Sequence, residues 1–161
     1  MKTNKRILTD EMIAEIKAFL PRYPSKQAVT LPALHIVNEK LRYVPLQAVK
    51  EIAELLELAP AQVQDTLSFY GYFKQDKPGG RCRLWVCRSI ACALRGGDEL
   101  LDSLSHTLGV KPGETTADGR ITLEYAECLG ACEHAPCMLA DTELHPSVTH
   151  QQAEQFVKSL K

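Results

Sequence analysis

The sequence predicts an α+β fold: an N-terminal helical bundle over residues 1–77, then an α/β domain over residues 78–161 with a small mixed sheet. Three observations predict it. All six cysteines lie after residue 81. The first 77 residues repeat their apolar side chains at helical spacing. After the break at Lys77-Pro78-Gly79-Gly80 the pattern turns to strand, helix, strand, strand, helix.

Each element has its own justification. Asp10 is expected to cap a first helix carrying Met12, Ile13, Ile16, Phe19 and Leu20, which Pro21 ends. Pro24-Ser25-Lys26-Gln27 is a turn. Thr30 is expected to cap a second helix, with Pro32 in its first turn and Leu34, Val37 and Leu41 on one face. A third helix starts near Pro45, striped by Leu46, Val49, Ile52, Ala53 and Leu56. A fourth opens at Pro60 with Val63, Leu67 and Tyr70. Beyond the break, Arg81 to Cys87 is strand-like, with Trp85 and Val86 favouring extended chain. Asp98 to Leu108 repeats leucine as a helix does. Ile121 to Tyr125 alternates as a strand after the Asp118-Gly119 turn. Pro136 to Ala140 is a short apolar strand, and Thr149 to Leu160 is a closing helix.

Composition narrows the function. Nineteen basic and 20 acidic residues leave a net charge of −1, which excludes a broad nucleic-acid-binding face. No run of about 18 apolar residues offers a bilayer span, so no membrane insertion is expected. The N-terminus is polar and lacks a secretory leader's apolar stretch, so a cytoplasmic, reducing setting is expected. Structural disulfides are rare there, and the cysteine spacing becomes the informative feature.

The cysteines form two clusters, Cys82, Cys87, Cys92 and Cys128, Cys132, Cys137, each where a strand meets a loop. Cys82 and Cys87 are five positions apart on one strand; at roughly 3.3 Å per residue they are about 16 Å apart, too far to share one small centre. The loops after Cys87 and after Cys128 can curl back, with Gly130 expected to let backbone approach closely. The best metal-binding set is therefore Cys87, Cys92, Cys128 and Cys132, reading C-x4-C and C-x3-C. Four thiolates admit structural zinc or a [2Fe–2S] cluster. Both pairs are wider than the tight zinc knuckle, which favours the larger cluster. Cys82 is expected to pack with Leu84 and Val86. Cys137 starts the strand after Pro136, near the centre without binding it. His134 is too weakly placed to be a ligand when four cysteines are available.

The segments Val86-Cys87-Arg88-Ser89-Ile90-Ala91-Cys92-Ala93-Leu94-Arg95-Gly96-Gly97 and Glu127-Cys128-Leu129-Gly130-Ala131-Cys132-Glu133-His134-Ala135-Pro136 resemble the thioredoxin-like [2Fe–2S] ferredoxin family. Within it the likeness is to the small iron–sulfur subunits of NADH-oxidising complexes: NADH:quinone oxidoreductase first, NAD-linked hydrogenases and formate dehydrogenases as alternatives. Leu31-Pro32-Ala33-Leu34-His35, Ser68-Phe69-Tyr70 and Gly113 to Gly119 add to it. Departures are Asn38, Arg42-Tyr43-Val44, Gly71-Tyr72 and the two extra cysteines, Cys82 and Cys137.

The resemblance implies a thioredoxin-like second domain with one [2Fe–2S] cluster. Cys87 and Cys92 would hold one iron, and Cys128 and Cys132 the other. It implies a chain that is not catalytic alone, an electron carrier beside a flavin-containing, NADH-binding partner subunit, within the NADH dehydrogenase module and peripheral to the inner membrane through that complex. FMN and NADH would sit on the partner. The competing readings are a non-redox zinc-binding interaction module and a free-standing ferredoxin. A cis Ala135–Pro136 peptide is expected beside the cysteine loops. Phe69, Tyr70, Tyr72 and Phe73 are expected as core between the halves or as a docking face.

Overall fold

Two runs of secondary structure follow from the sequence, one helical and one built on a sheet. They are seen in a computed structural model describing residues 6–160. The opening residues 1–5, part of the segment read as lacking a leader, lie outside the described residues. The chain divides into two compact units at Pro78/Gly79.

The first unit holds α1 (Asp10–Phe19), α2 (Thr30–Leu41), α3 (Leu46–Leu56) and α4 (Pro60–Phe69). Thr9, not Asp10, caps α1. Its extended backbone lets the hydroxyl accept the Met12 N–H at 3.2 Å, while Asp10 adds a favourable charge in the first turn. Thr30 does not cap α2 either. A 3₁₀ turn over Gln27–Val29 runs directly into the helix, so Thr30 is already helical. Ahead of that turn, Ser25 Oγ accepts the Ala28 N–H at 3.2 Å. Pro60 begins α4, and Gln62 accepts the Ala59 N–H at 3.0 Å.

Ile16, Leu34, Val37, Val49, Ile52, Leu56 and Val63 are fully buried as one core. Burying each large aliphatic side chain contributes about 1.5–3 kcal/mol, which is why the apolar stripes dictate the bundle. Phe73 joins this core, and His35 packs against its ring at 5.1 Å and that of Tyr72 at 5.6 Å. Phe69, Tyr70 and Tyr72 stay exposed.

The second unit holds β1 (Cys82–Cys87), α5 (Ile90–Ala93), α6 (Gly97–Leu108), β2 (Ile121–Ala126), β3 (Met138–Ala140), β4 (Glu143–His145) and α7 (His150–Ser159). The sheet order is β2-β1-β3-β4, with β1 parallel to β2 and the other pairs antiparallel. A parallel pair needs a crossover, and α5 with α6 supplies it. Thr149 caps α7, with the reciprocal Gln152 contact that closes a capping box. The four-residue α5 and three-residue β4 go beyond the sequence expectation, because elements so short carry no periodicity to read.

Alternation splits the sheet faces. Leu84, Val86, Ile121 and Leu123 join Leu100, Leu104 and Val157 in the core. Cys82 is half-buried against that same core, with Leu84 and Val86. Arg83 and Glu124 belong to the opposite face, where they form a buried ion pair at 2.7 Å with the guanidinium over the Trp85 ring. No helix among the described residues is long and apolar enough to cross a membrane.

Candidate metal centre

Strand register decides which cysteines meet. Cys87 pairs with Ala126 at the end of β1 and β2, so the chain leaves both parallel strands at the same sheet edge. The loops carrying Cys92 and Cys128 therefore start side by side. β3 runs back along β1 with Val86 opposite Met138. One residue earlier Cys137 reaches that edge too, and the Cys87 N–H donates to its carbonyl at 3.1 Å. The Ala135–Pro136 peptide before it is cis, as expected.

Cys87, Cys92 and Cys137 form a buried trio, their sulfurs all within 4.8 Å of one another. Cys92 and Cys137 Sγ are 3.8 Å apart. Cys128 and Cys132 lie on the exposed side. Cys132 lies within electrostatic reach of Cys128 and of Cys87. The structure thus groups Cys87 and Cys92 with Cys137 rather than with the expected second pair. Cys82 sits at the far end of β1 and takes no part. His134 is exposed, its Nε2 3.8 Å from Glu133.

Backbone groups prepare the sulfurs. Burial pushes the Cys87 thiol up. The N–H groups of Ser89 and Leu129, with the Cys92 and Cys137 thiols, outweigh it and hold Cys87 below the ordinary thiol value. Cys92 is raised by burial despite the Cys137 N–H donated to its sulfur. Cys132 is raised chiefly by the Cys128 charge, and Cys137 is pushed up to about 12, first by burial and then by Cys92. Gly130 donates its N–H to Cys128 Sγ at 3.3 Å. Its role differs from the one expected. A Cβ there would meet nothing within 4 Å; the φ of +73° is what the loop requires of a glycine.

Gly97 is the residue of close approach, and sequence reasoning alone does not single it out. A Cβ there would stand 2.9 Å from the carbonyl oxygens of Cys87 and Cys92. The Gly96-Gly97 pair is its sequence signal. Arg88 does not serve the sulfurs directly: it pairs with Glu127 at 3.1 Å and covers the Tyr125 ring.

Soft sulfur donors, three of them within 4.8 Å of one another, suit zinc or an iron–sulfur group rather than a hard cation, which would want oxygen ligands. The residues fit a [2Fe–2S] cluster in donor chemistry, number and loop spacing.

Thioredoxin-like [2Fe–2S] ferredoxin is the family whose pattern matches, over residues 16–161. The chain belongs to this family. Among curated relatives, it is 35% identical over 150 residues to an NADH-quinone oxidoreductase subunit of Rhizobium meliloti, covering 93% of this chain and 89% of that one. It is 35% identical over 147 residues to the corresponding NADH-quinone oxidoreductase subunit of Mycobacterium tuberculosis, covering 91% of this chain and 58% of that longer one. An NAD⁺-reducing [NiFe]-hydrogenase crystal structure shares the fold, with a TM-score of 0.70 and 24% identity over 81% of this chain. The match spans only 22% of that hydrogenase chain.

Proposed function

We propose that this chain is the small electron-transfer subunit of an NADH:quinone oxidoreductase, holding one [2Fe–2S] cluster on Cys87, Cys92, Cys128 and Cys132. The observation that supports this reading is the spacing of two cysteine pairs, C-x4-C and C-x3-C, on loops that leave the parallel strands β1 and β2 at one sheet edge, with Cys87 and Cys92 in a buried sulfur cluster. The names of the curated relatives support the choice of quinone oxidoreductase over hydrogenase as the parent complex.

When bound, the cluster supplies a one-electron couple, with no bond made or broken on this chain. The protein's part is positional and electrostatic. Cys87 and Cys92 are anchored in buried backbone at the end of β1 and in α5. Cys128 and Cys132 keep the other side open to the surface. The Gly130 N–H donates to Cys128 Sγ, and the backbone N–H groups of Ser89 and Leu129 near Cys87, and of Cys137 near Cys92, favour the thiolate forms that ligation requires.

The electron donor is a flavin-containing, NADH-binding subunit docked against the open side. Ile90 and Leu94, one turn apart beside Cys92, are 78% and 82% exposed and give that face an apolar element. The two compact units then divide the work, residues 79–161 carrying the cluster and residues 1–78 providing surface for the rest of the NADH dehydrogenase module.

Co-expression with the flavin-bearing subunit tests this. NADH is expected to reduce the iron centre of this chain in the complex and to leave it oxidised in the isolated chain. A colourless, zinc-loaded protein, or one that never associates with the flavoprotein, would contradict the proposal.

A further inference from the structure

Four cysteines complete the proposed ligand set, and one thiol at the site is left over. Cys137 is fully buried, and its Sγ lies 3.8 Å from Cys92 Sγ, within reach of an S–H···S hydrogen bond. Both sulfurs also lie within 4.8 Å of Cys87 Sγ. The position is imposed by the fold. The antiparallel register of β3 on β1 sets Cys137 beside Cys87, and the Cys87 N–H donates to its carbonyl.

While both groups are thiols, either sulfur can be the donor. Ligation removes that ambiguity. A metal-bound Cys92 is a thiolate and carries no proton. The only proton left on the line between the two sulfurs is the one on Cys137, so the bond then has a single direction. No water reaches this side to compete for it, since both residues are buried.

We infer that Cys137 is a positioning residue of the centre, whose buried S–H donates to the Cys92 sulfur and raises the reduction potential of the cluster. The inference rests on the cluster reading above. Its physical basis is charge. An added electron spreads negative charge onto the ligand sulfurs, and a donor aimed at one of them stabilises the reduced form more than the oxidised form.

The test uses the full-length chain, prepared anaerobically, as wild type and as Cys137→Ala, Cys137→Val and Cys137→Ser. Iron and acid-labile sulfide per chain are measured first, and then the midpoint potential. All four proteins are expected to hold equal iron and sulfide. The alanine and valine variants are expected to be harder to reduce, with the equilibrium constant for reduction lower by about threefold to tenfold. At 59 mV per tenfold for one electron, that is roughly 30–60 mV more negative. Serine, whose hydroxyl also donates, is expected to recover at least half of the shift. Valine fills the space without a donor, so it separates the lost hydrogen bond from a cavity left by alanine.

An unchanged potential in the alanine and valine variants, with the cluster intact, would overturn the inference and leave the proposed function standing. So would an equal shift in all three variants. Iron lost from Cys137→Ala but retained by Cys92→Ala would make Cys137 a ligand and overturn it as well. A wild-type protein without iron and sulfide would end the proposed function itself, and this inference with it.

Discussion

At the scale of single residues, Gly97 and the Arg83–Glu124 pair make the sharpest demands. A Cβ at Gly97 would press on backbone atoms of Cys87 and Cys92, which cannot swing aside as a side chain can. Gly97→Ala is therefore expected to displace Cys92 and reduce bound iron, with overpacking costing about 1–3 kcal/mol in thermal or denaturant unfolding. Full iron occupancy and unchanged stability in that variant would contradict the tight contact. Glu124→Ala removes the carboxylate from the buried Arg83 guanidinium and is expected to destabilise the chain by about 3–5 kcal/mol. Denaturant unfolding checks it, and a loss below about 1 kcal/mol would mean that the pair is solvated in solution.

Glu51 ties the segment before α1 to α3. Its carboxylate accepts the N–H groups of Ile7 and Leu8, the latter at 2.7 Å, and the Gln47 amide at 2.9 Å. Burial opposes its charge, but these bonds, the Leu8 N–H foremost, hold its pKa below the ordinary carboxylate value. A depressed folded-state pKa stabilises the native chain above the unfolded value, near 4.3, and that contribution is lost as pH falls through the folded one. Glu51→Gln is expected to lower wild-type stability at neutral pH and to flatten its fall in acid. Unfolding curves at neutral and at acid pH measure the difference. Parallel loss at both would contradict the assignment.

At the scale of elements, what the sequence made legible follows the strength of its periodic signal. The stripes Val49, Ile52, Leu56 and Leu100, Leu104 each predict a helix, and each is buried along one face. Cap assignments were less legible. Thr9 and Asp10 are adjacent and both able to cap, and local φ/ψ decided for Thr9. Thr30 lost its role to a 3₁₀ turn with no sequence signature of its own. The side-by-side start of the two cysteine loops was legible because the spacing reflects loop lengths, which the register of β1 on β2 brings to one sheet edge. The contact of Cys137 with Cys92 at 3.8 Å depended on a second, antiparallel register, which spacing does not encode. Ile90 at the start of α5 and Leu94 just past its end are exposed beside Cys92. The double variant Ile90→Glu/Leu94→Glu is expected to keep its iron and to lose co-purification with the flavoprotein. Retained association would move the docking face elsewhere.

At the scale of the whole molecule, each unit is built around its own buried cluster, and all six cysteines belong to residues 79–161. That half is expected to fold and assemble iron when expressed alone, read by cooperative unfolding and visible absorption. Failure to fold would mean that it depends on the helices. The account turns on one arrangement of matter, a pair of irons and their sulfides shared between the Cys87/Cys92 loop and the Cys128/Cys132 loop. Iron and acid-labile sulfide per anaerobically purified chain measure it most directly. The expected result is two of each, in a coloured protein that becomes paramagnetic on one-electron reduction, lost when any of those four cysteines is replaced by alanine. One zinc per chain with no sulfide would contradict it.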